Sequence, residues 1–412
     1  MSITITGGIS FSGGLDIVEP PTVPGAPTVG SATATGTTTA TVAFTAPASN
    51  GGATITTYTA TSSPSGITGT LSQAGSGTIT VTGLAASTSY TFTVTATNSI
   101  GTSSPSASSN SITTDSPITG TTKAIFGYGS SQSGTRYSIT NLVNNTGVVA
   151  TNTAGVGTAR RGLAAAGYGG DKAIFGYGDT DVGQVNMVNL VSNTGVVATD
   201  TAGVGTARCF LAAAGYGGDK AIFGYGTTFS PTTKRSMTNL VSNTGVVASD
   251  TAGVGTTRSE LAAAGYGGDK AIFGYGGSGV SNTTITNLVS NTGVVATDTA
   301  GVGTGRFSLA AAGYGTDKAI FGYGSNGTNL SITNLVSNTG VVATDVTGVG
   351  TARQGLAAAG YGTDKAIFGY GAGVSGDLSV TNLVSNTGVV GNNVTGVGTA
   401  RRYLAAAGYS LS

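Results

Sequence analysis

The sequence predicts an all-β protein in two parts, the second of which is built from six similar units that close into a ring. Short apolar or threonine-rich segments alternate with glycine, asparagine and serine turns, and no segment shows helical periodicity. Two motifs, KAIFGYG and LAAAGY, each occur six times. Because the array opens with the first motif and ends with the second, its last segment is left to complete its first unit.

Composition restricts the chemistry. The 412 residues include 17 Lys or Arg, 16 Asp or Glu, no His and a single Cys, Cys209. Without His, a Ser-His-Asp triad, a Cys-His pair and a His-ligated metal are excluded. A net charge of +1 provides no field that would attract nucleic acid or a membrane surface, and no stretch approaches the roughly 20 apolar residues of a membrane span. We therefore expect neither nucleic-acid binding nor membrane insertion.

Residues 22–115 show the alternation of half-buried strands in ATVAFTAP, ITTYTATSS and ITVTGLAASTSYTFTVTATN. On these segments the region resembles the fibronectin type III family, an immunoglobulin-like β-sandwich. Phe44 stands where that family usually has Trp, and Leu84 and Tyr90 match its corner. Three further side chains are expected in the core: Tyr58, Phe92 and Val94. The resemblance implies a separate domain whose usual role is that of a spacer.

The first 21 residues, MSITITGGISFSGGLDIVEPP, are too short for a core of their own. Their alternating apolar residues are Ile3, Ile5 and Ile9, followed by Phe11. We predict that residues 1–21 form a docking segment that adds a strand to another protein, and a frayed tail is the alternative. Residues 116–121 are predicted to be a linker.

Residues 122–412 contain the repeats, which recur about every 48 residues. The KAIFGYG copies begin at Lys123, Lys172, Lys220, Lys270, Lys318 and Lys365. The LAAAGY copies begin at Leu163, Leu211, Leu261, Leu309, Leu356 and Leu404. Each unit is predicted to contain four short strands, A to D, as in Leu163–Tyr168, Lys172–Tyr177, Val188–Val191 and Val196–Thr201. Four short strands per unit of this length are typical of a propeller blade, so the sequence predicts a six-bladed β-propeller.

The last repeat segment, Leu404–Tyr409, is predicted to pair with Ala124–Tyr128 and to close the ring without an exposed sheet edge. A unit reads TAR-x-x-LAAAGYGGDKAIFGYG, loop, TNLVSNTGVVATDTAGVG, and it resembles the kelch family of β-propellers. It departs from that family in having GYG in place of a glycine pair and Val in place of a Trp in the fourth strand. The resemblance implies the fold and no particular partner.

Two sites differ among the six units: the loop between strands B and C, and the dipeptide after a recurrent Arg. Successive connections of an antiparallel sheet alternate between its ends, so both sites are expected at one end of the ring and the near-constant GYGGDK and SNTG turns at the other. We predict that the variable end binds a ligand through Arg136, Tyr137, Arg161, Phe210, Phe229, Glu260, Phe307, Gln354, Arg402 and Tyr403. The alternative is that tolerant loops have drifted.

The charged residues indicate no active site. Asp171 and Asp200 represent two series that recur at equal positions, which indicates a structural role such as Asx turns. The acids of the variable end are Asp179, Asp181, Glu260 and Asp377, from three units. No calcium-loop spacing is present, so we expect no catalytic residue, metal or cofactor. The six recurrent Arg residues, represented by Arg208, are expected to bond carbonyls between units; a cationic lining of the channel is the alternative.

A fibronectin-like domain on a charge-poor, glycine- and threonine-rich β protein resembles bacteriophage fibre and decoration proteins. The resemblance implies a non-enzymatic protein of the virion surface: residues 1–21 dock to other virion proteins, the fibronectin-like domain is a spacer, and the propeller attaches to host surface glycans. Aromatic faces with neutral hydrogen-bonding neighbours suit glycans. The alternatives are a decoration protein without a ligand and a bacterial extracellular adhesin, and a homo-oligomer is compatible with each.

Overall fold

The computed structural model describes residues 20–35, 38–85, 88–114, 122–279 and 281–410. All regular elements in these ranges are β-strands, as the sequence predicts, and no helix occurs among them. Contacts divide the chain into two compact units, with the boundary between Pro117 and Ile118. The predicted docking residues and the predicted linker lie outside the described ranges: Ile3, Ile5, Ile9, Phe11 and residues 116–121.

The first unit consists of two antiparallel sheets, with the strand orders β1-β2-β5 and β4-β3-β6-β7. Its strands are β1 Thr28–Ala34, β2 Thr39–Thr45, β3 Thr57–Ser63, β4 Thr68–Leu71, β5 Gly77–Thr82, β6 Ser89–Thr97 and β7 Ile112–Thr113. The predicted core side chains are buried: Phe44, Tyr58, Leu84, Tyr90, Phe92 and Val94. The Tyr90 hydroxyl accepts a hydrogen bond from the Ala85 amide at 3.0 Å, as expected of a tyrosine corner.

The second unit contains six three-stranded antiparallel sheets and three small hairpins. Sheet 1 is β31 (Ala405–Ser410), β8 (Thr122–Gly127) and β9 (Thr140–Val143). Sheet 2 is β10 (Ala164–Tyr168), β11 (Lys172–Gly176) and β14 (Val188–Val191). Sheet 3 is β15 (Ala212–Tyr216), β16 (Lys220–Gly224) and β19 (Thr238–Val241). Sheet 4 is β20 (Ala262–Tyr266), β21 (Lys270–Gly274) and β22 (Thr286–Val289). Sheet 5 is β23 (Ala310–Tyr314), β24 (Lys318–Gly322) and β25 (Thr333–Val336). Sheet 6 is β26 (Ala357–Tyr361), β27 (Lys365–Gly369) and β30 (Thr381–Val384). The hairpins are β12 (Asp179–Thr180) with β13 (Gly183–Gln184), β17 (Thr227–Phe229) with β18 (Thr232–Lys234), and β28 (Ala372–Gly373) with β29 (Gly376–Asp377).

The six sheets follow one another around a closed ring. The innermost strands contact in the order β31, β10, β15, β20, β23 and β26, and β26 in turn contacts β31. The carboxyl-terminal strand β31 pairs antiparallel with β8, with Ala405 opposite Gly127 and Ser410 opposite Thr122. The predicted closure is therefore confirmed, and sheet 1 is assembled from the two ends of the repeat array.

The predicted strand D is not a continuous strand. In sheet 2 it meets β14 only at two isolated bridges, Val191 with Val197 and Val188 with Thr201. The span from Val197 to Thr201 holds one more residue than the opposing span from Val188 to Val191. The extra residue interrupts the hydrogen-bond ladder in the manner of a β-bulge. The Asn189 side chain fills the interruption by donating to the Ala198 carbonyl at 3.0 Å.

A buried Arg joins each pair of neighbouring sheets. Between sheets 2 and 3, Arg208 Nε donates to the Tyr225 carbonyl at 2.8 Å and Nη2 donates to Asn239 Oδ1 at 2.7 Å, while the guanidinium lies 4.4 Å from the ring centre of Tyr177. The six equivalent side chains have no exposed surface: Arg160, Arg208, Arg258, Arg306, Arg353 and Arg401. Bonding of carbonyls is confirmed, and the alternative of a cationic channel lining is wrong. Burial lowers the pKa of Arg208, although Tyr177 and Asp250 oppose that shift.

Candidate functional site

The ring is narrow around its axis because the innermost strands are built from Ala and Gly. A Cβ on Gly408 would lie 3.0 Å from the carbonyl oxygen of Gly360 in the neighbouring sheet. Glycine therefore allows the inner strands to pack side by side. The constant end of the ring is defined here by the GYGGDK and SNTG turns, and the variable end by the loops between the second and third strands together with the dipeptides after the recurrent Arg.

The constant end holds a cavity of about 300 Å³ on the axis. Each innermost strand contributes a Gly and a Tyr to its lining. The tyrosine rings also pack outward between sheets: a Cβ on Gly245, in the SNTG turn of sheet 3, would lie 2.9 Å from the ring of Tyr168 in sheet 2. The near-constant sequence of this end is thus explained by packing as well as by turn geometry.

A closed ring of six main-chain hydrogen bonds joins the sheets at the constant end. The residue after each Tyr donates its amide to the carbonyl of the residue that precedes the KAIFGYG Lys in a neighbouring sheet, as Gly169 does to Asp219 at 2.7 Å. The closing strand supplies the bond from the Ser410 amide to the Asp171 carbonyl, at 3.1 Å. The recurrent Asp of this turn also pairs with the next residue, so that Lys220 Nζ lies 2.7 Å from Asp219 Oδ1. Its role is structural, as predicted.

The second recurrent Asp series bonds the neighbouring sheet. Asp250 of sheet 3 accepts hydrogen bonds from the amide and the hydroxyl of Thr206, at 3.0 and 2.6 Å. Burial opposes the shift, but the hydrogen bonds from Thr206 and Asn239 lower the pKa of Asp250. The four inter-sheet carboxylates are Asp200, Asp250, Asp298 and Asp345. At the same position Asn152 and Asn393 bond Thr399 and Thr351. The predicted Asx turns are therefore replaced here by bonds between sheets.

The two variable sites of each unit meet at the variable end, as the strand order predicts. The first residue of the dipeptide forms an antiparallel bridge with the first residue after GYG, as Arg161 does with Asp179. The bridge between Arg402 and Ser130 joins the closing segment to the first loop in the same way.

The second dipeptide residues form another closed ring of hydrogen bonds around the axis. Each amide donates to the carbonyl of the equivalent residue in the preceding sheet, as Phe210 does to Gly162 at 2.7 Å. The six residues are Gly162, Phe210, Glu260, Ser308, Gly355 and Tyr403, and all have a φ between 51° and 61°. This left-handed conformation directs every amide toward its neighbour, although only two of the six residues are Gly.

Three predicted ligand-binding residues fill the axis at this end. Phe210 lies against Gly162, where a Cβ would be 3.1 Å from its ring, and it meets Tyr403 edge-on with the ring centres 5.2 Å apart. Glu260 accepts a hydrogen bond from Ser308. The cavity that remains measures about 70 Å³, which is below the roughly 300 Å³ of the smallest usual ligand pockets. Phe210, Glu260 and Tyr403 thus pack against the ring itself.

The three predicted Arg residues form ion pairs with loop carboxylates. Arg136 of the first loop and Arg161 lie 2.8 and 3.3 Å from Asp179, and Arg402 lies 2.6 Å from Asp377. Arg136 also pairs with the exposed Asp181. These contacts tie the loops of sheets 6, 1 and 2 to one another.

The remaining predicted residues are not gathered into one pocket. Tyr137 and Phe307 are half-buried, and Phe229 is 42% exposed at the tip of the β17–β18 hairpin. Gln354 is half-buried, and its Oε1 has no hydrogen-bond partner among the described residues. Whether any of these side chains binds a ligand stays a prediction.

The loops share a pattern that appears only when they are aligned from the third strand. The residue four positions before that strand is polar in every unit: Arg136, Gln184, Lys234, Asn282, Asn329 and Asp377. Four of these side chains donate to one carbonyl of the next unit, that of the first residue after GYG, at 2.9, 2.6, 2.7 and 3.0 Å for Arg136, Gln184, Lys234 and Asn329. Different side chains thus make the same contact.

Two strongly exposed residues were missed by the sequence reasoning. Val182 and Val374 occupy the turns of the β12–β13 and β28–β29 hairpins and are 97% and 94% exposed. A β-branched residue beside Gly in a two-residue turn is the signal that could have identified them, because Gly, Asn and Asp are favoured there. With Phe229 they place apolar side chains at all three hairpin tips.

Residues 25–112 match the family model of the fibronectin type III domain. The match confirms the resemblance of the first unit and does not extend to the ring. A comparison with curated proteins finds no match. Within the described ranges there is no group of three His, Cys, Asp or Glu side chains that could hold a metal ion, and no helix long and apolar enough to cross a membrane.

Proposed function

We propose that this chain is a non-enzymatic attachment protein of a bacteriophage virion surface. In this proposal the fibronectin type III domain is a spacer, residues 1–21 dock to other virion proteins, and the ring is a six-bladed, kelch-like propeller whose variable end binds host surface glycans.

The observation that carries the proposal is the exposure of the hairpin tips. Val182, Val374 and Phe229 lie on the loops of sheets 2, 6 and 3, while the loops beneath them are held by ion pairs and by side chains that bond main-chain carbonyls. Exposed apolar side chains on a rigid base are available for contacts with a partner. Phe229 offers an aromatic face, and the neighbouring side chains and main chain offer neutral hydrogen-bonding groups that suit a sugar.

A glycan array probed with the full chain tests the proposal. The variant V182A/F229A/V374A removes the exposed apolar side chains of the three hairpin tips. As a matched control, V196A/V246A/V389A removes exposed valines that directly follow SNTG turns at the constant end. We expect the wild type and the control to bind at least one glycan and the tip variant to lose binding. If the wild type binds no glycan, or if the tip variant binds as the wild type does, glycan attachment through this end is wrong.

The second candidate is a decoration protein without a ligand. It is favoured by the observation that three of the predicted ligand-binding residues fill the axis and three more form ion pairs. Cryo-electron microscopy of the native assembly distinguishes the two functions. A variable end that faces solvent supports attachment, a variable end that is covered by neighbouring proteins supports decoration, and recovery from a bacterial surface without particles supports the adhesin.

A further inference from the structure

The charged residues that line the cavity at the constant end are all lysines, and each pairs with an Asp just outside the lining. Besides Gly, Tyr, Thr and Ser, the described residues that line it include five lysines and no carboxylate: Lys172, Lys220, Lys270, Lys318 and Lys365. They come from the same position of sheets 2 to 6 and are arranged around the axis. The sixth equivalent, Lys123, does not line the cavity, and Thr122 precedes it where the other units have Asp.

Each lining lysine is held by the Asp that precedes it in the chain. The distances from Nζ to Oδ1 are between 2.7 and 3.1 Å in the five pairs. One carboxylate bond occupies one of the three donors of an ammonium group, so two remain for another acceptor. The lysine side chains are 43% to 46% exposed, so they are not buried beneath the cavity wall. The aspartates therefore position the ammonium groups while staying outside the cavity lining.

From this arrangement we propose that the constant-end cavity binds a small oxyanion that carries two or more anionic groups. Ammonium groups at several points around one axis match a ligand with several acceptor oxygens better than a cation or a single halide. A cavity of about 300 Å³ is at the lower bound of small-molecule sites, which favours a compact ligand over a polymer. The glycines of the inner strands line the cavity with main-chain atoms only, so a ligand can approach the main chain. Phosphate and carboxylate groups share this chemistry.

This inference is independent of attachment through the variable end, because the two sites lie at opposite ends of the ring. The probes are inorganic tripolyphosphate and citrate, with the neutral polyol inositol as the comparison. Isothermal titration calorimetry of the full chain at low salt measures their binding. We expect both anions to bind, with an affinity that falls as salt is raised, and inositol not to bind.

The variant K220Q/K365Q tests the lysines directly. Gln keeps a hydrogen bond to the neighbouring Asp and removes the charge, so the fold is retained and its Tm serves as a check. We expect at least about tenfold weaker anion binding in this variant, whereas K123Q outside the lining and K234Q at the variable end change it by less than about twofold.

Three results would overturn the inference. The first is a wild type that shows no anion binding at about 1 mM probe, which corresponds to the weakest Kd of interest. The second is K220Q/K365Q binding the anions as tightly as the wild type. The third is inositol binding as tightly as the anions. A preference for tripolyphosphate over citrate identifies phosphate as the favoured group, and the reverse identifies carboxylate.

Discussion

The constant end and the variable end of the ring connect the same six sheets in different ways. Both have a closed ring of six main-chain hydrogen bonds. At the constant end the same side chains recur around them, with Tyr against the Gly of the next SNTG turn. At the variable end Phe210, Glu260 and Gly162 stand at equivalent positions, and Arg, Gln, Lys and Asn donate to equivalent carbonyls. Main-chain geometry is therefore conserved at both ends, whereas side-chain identity is required at only one.

Removal of the closing strand should open the ring at sheet 1 and have the largest effect. Deletion of residues 404–412 removes the pairing of β31 with β8 and the Ser410 bond to Asp171. We expect the free energy of unfolding to fall by more than about 4 kcal/mol, because buried Ala and Tyr side chains are lost together with the strand. Urea unfolding measures this loss when it is followed by tyrosine fluorescence, which no Trp masks because the chain has none. An unchanged midpoint would contradict a closed ring.

Arg208→Met tests the contacts that lie between the two ends. It leaves the Asn239 carboxamide and the Tyr225 carbonyl without their buried donor, and we expect a loss of about 3 to 5 kcal/mol. The control is Arg235→Met at the variable end, where Arg235 makes a side-chain hydrogen bond only to Thr228 among the described residues. The control should lose less than about 1 kcal/mol. Equal losses in urea unfolding would show that the arginines between sheets have no special role.

A pair of Gly→Ala substitutions compares the packing of the two ends. Gly245 at the constant end and Gly134 in the first variable loop have φ of 83° and 93°, so both substitutions introduce similar backbone strain. A Cβ on Gly245 meets the Tyr168 ring at 2.9 Å, but one on Gly134 meets nothing within 4 Å. We expect losses of about 2 to 3 kcal/mol for G245A and about 1 kcal/mol for G134A. Similar thermal unfolding of the two variants would contradict the requirement for side-chain identity at the constant end.

Substitution of an inter-sheet carboxylate should have the smallest effect on the free energy of unfolding, and this effect should depend on pH. The pKa of Asp298 is lowered in the folded state, because the hydrogen bonds from Thr256 and Asn287 outweigh the burial that opposes them. A lowered pKa stabilises the fold above the unfolded pKa, and this stabilisation is lost as pH falls through the folded pKa. Asp298→Asn should therefore cost about 1 kcal/mol at neutral pH and less in acid.

The matched control is Asp219→Asn, which removes a more exposed ion pair at the constant end. It should change stability by less than about 0.5 kcal/mol. Unfolding measured at pH 7 and at pH 3 compares the two variants. A loss for Asp298→Asn that does not shrink in acid would show that its charge is not what stabilises the ring.

Much of the fold was predictable because its signals are local or repeated. The alternation around Tyr58 and Phe92 identifies a half-buried strand without knowledge of its partner, and the cyclic order of KAIFGYG and LAAAGY requires the last strand to pair with the first. The fourth strand could not be predicted correctly, because its interruption depends on one extra residue in its pairing with the third strand and on the Asn189 side chain that bonds the Ala198 carbonyl there. Val182 and Val374 were not among the predicted ligand-binding residues, because their exposure follows from the hairpin turns that the two loops form.

The sequence by itself determined the all-β class, the six units, the closure of the ring and the core of the fibronectin type III domain. Alternation and repetition are properties of consecutive residues, so they can be read from one chain. Only the tertiary structure decided that Phe210 and Tyr403 fill the axis, that Arg136 and Gln184 reach equivalent carbonyls, and that five lysines line one cavity. These contacts join residues of different units, and their distances depend on how neighbouring sheets are placed around the axis.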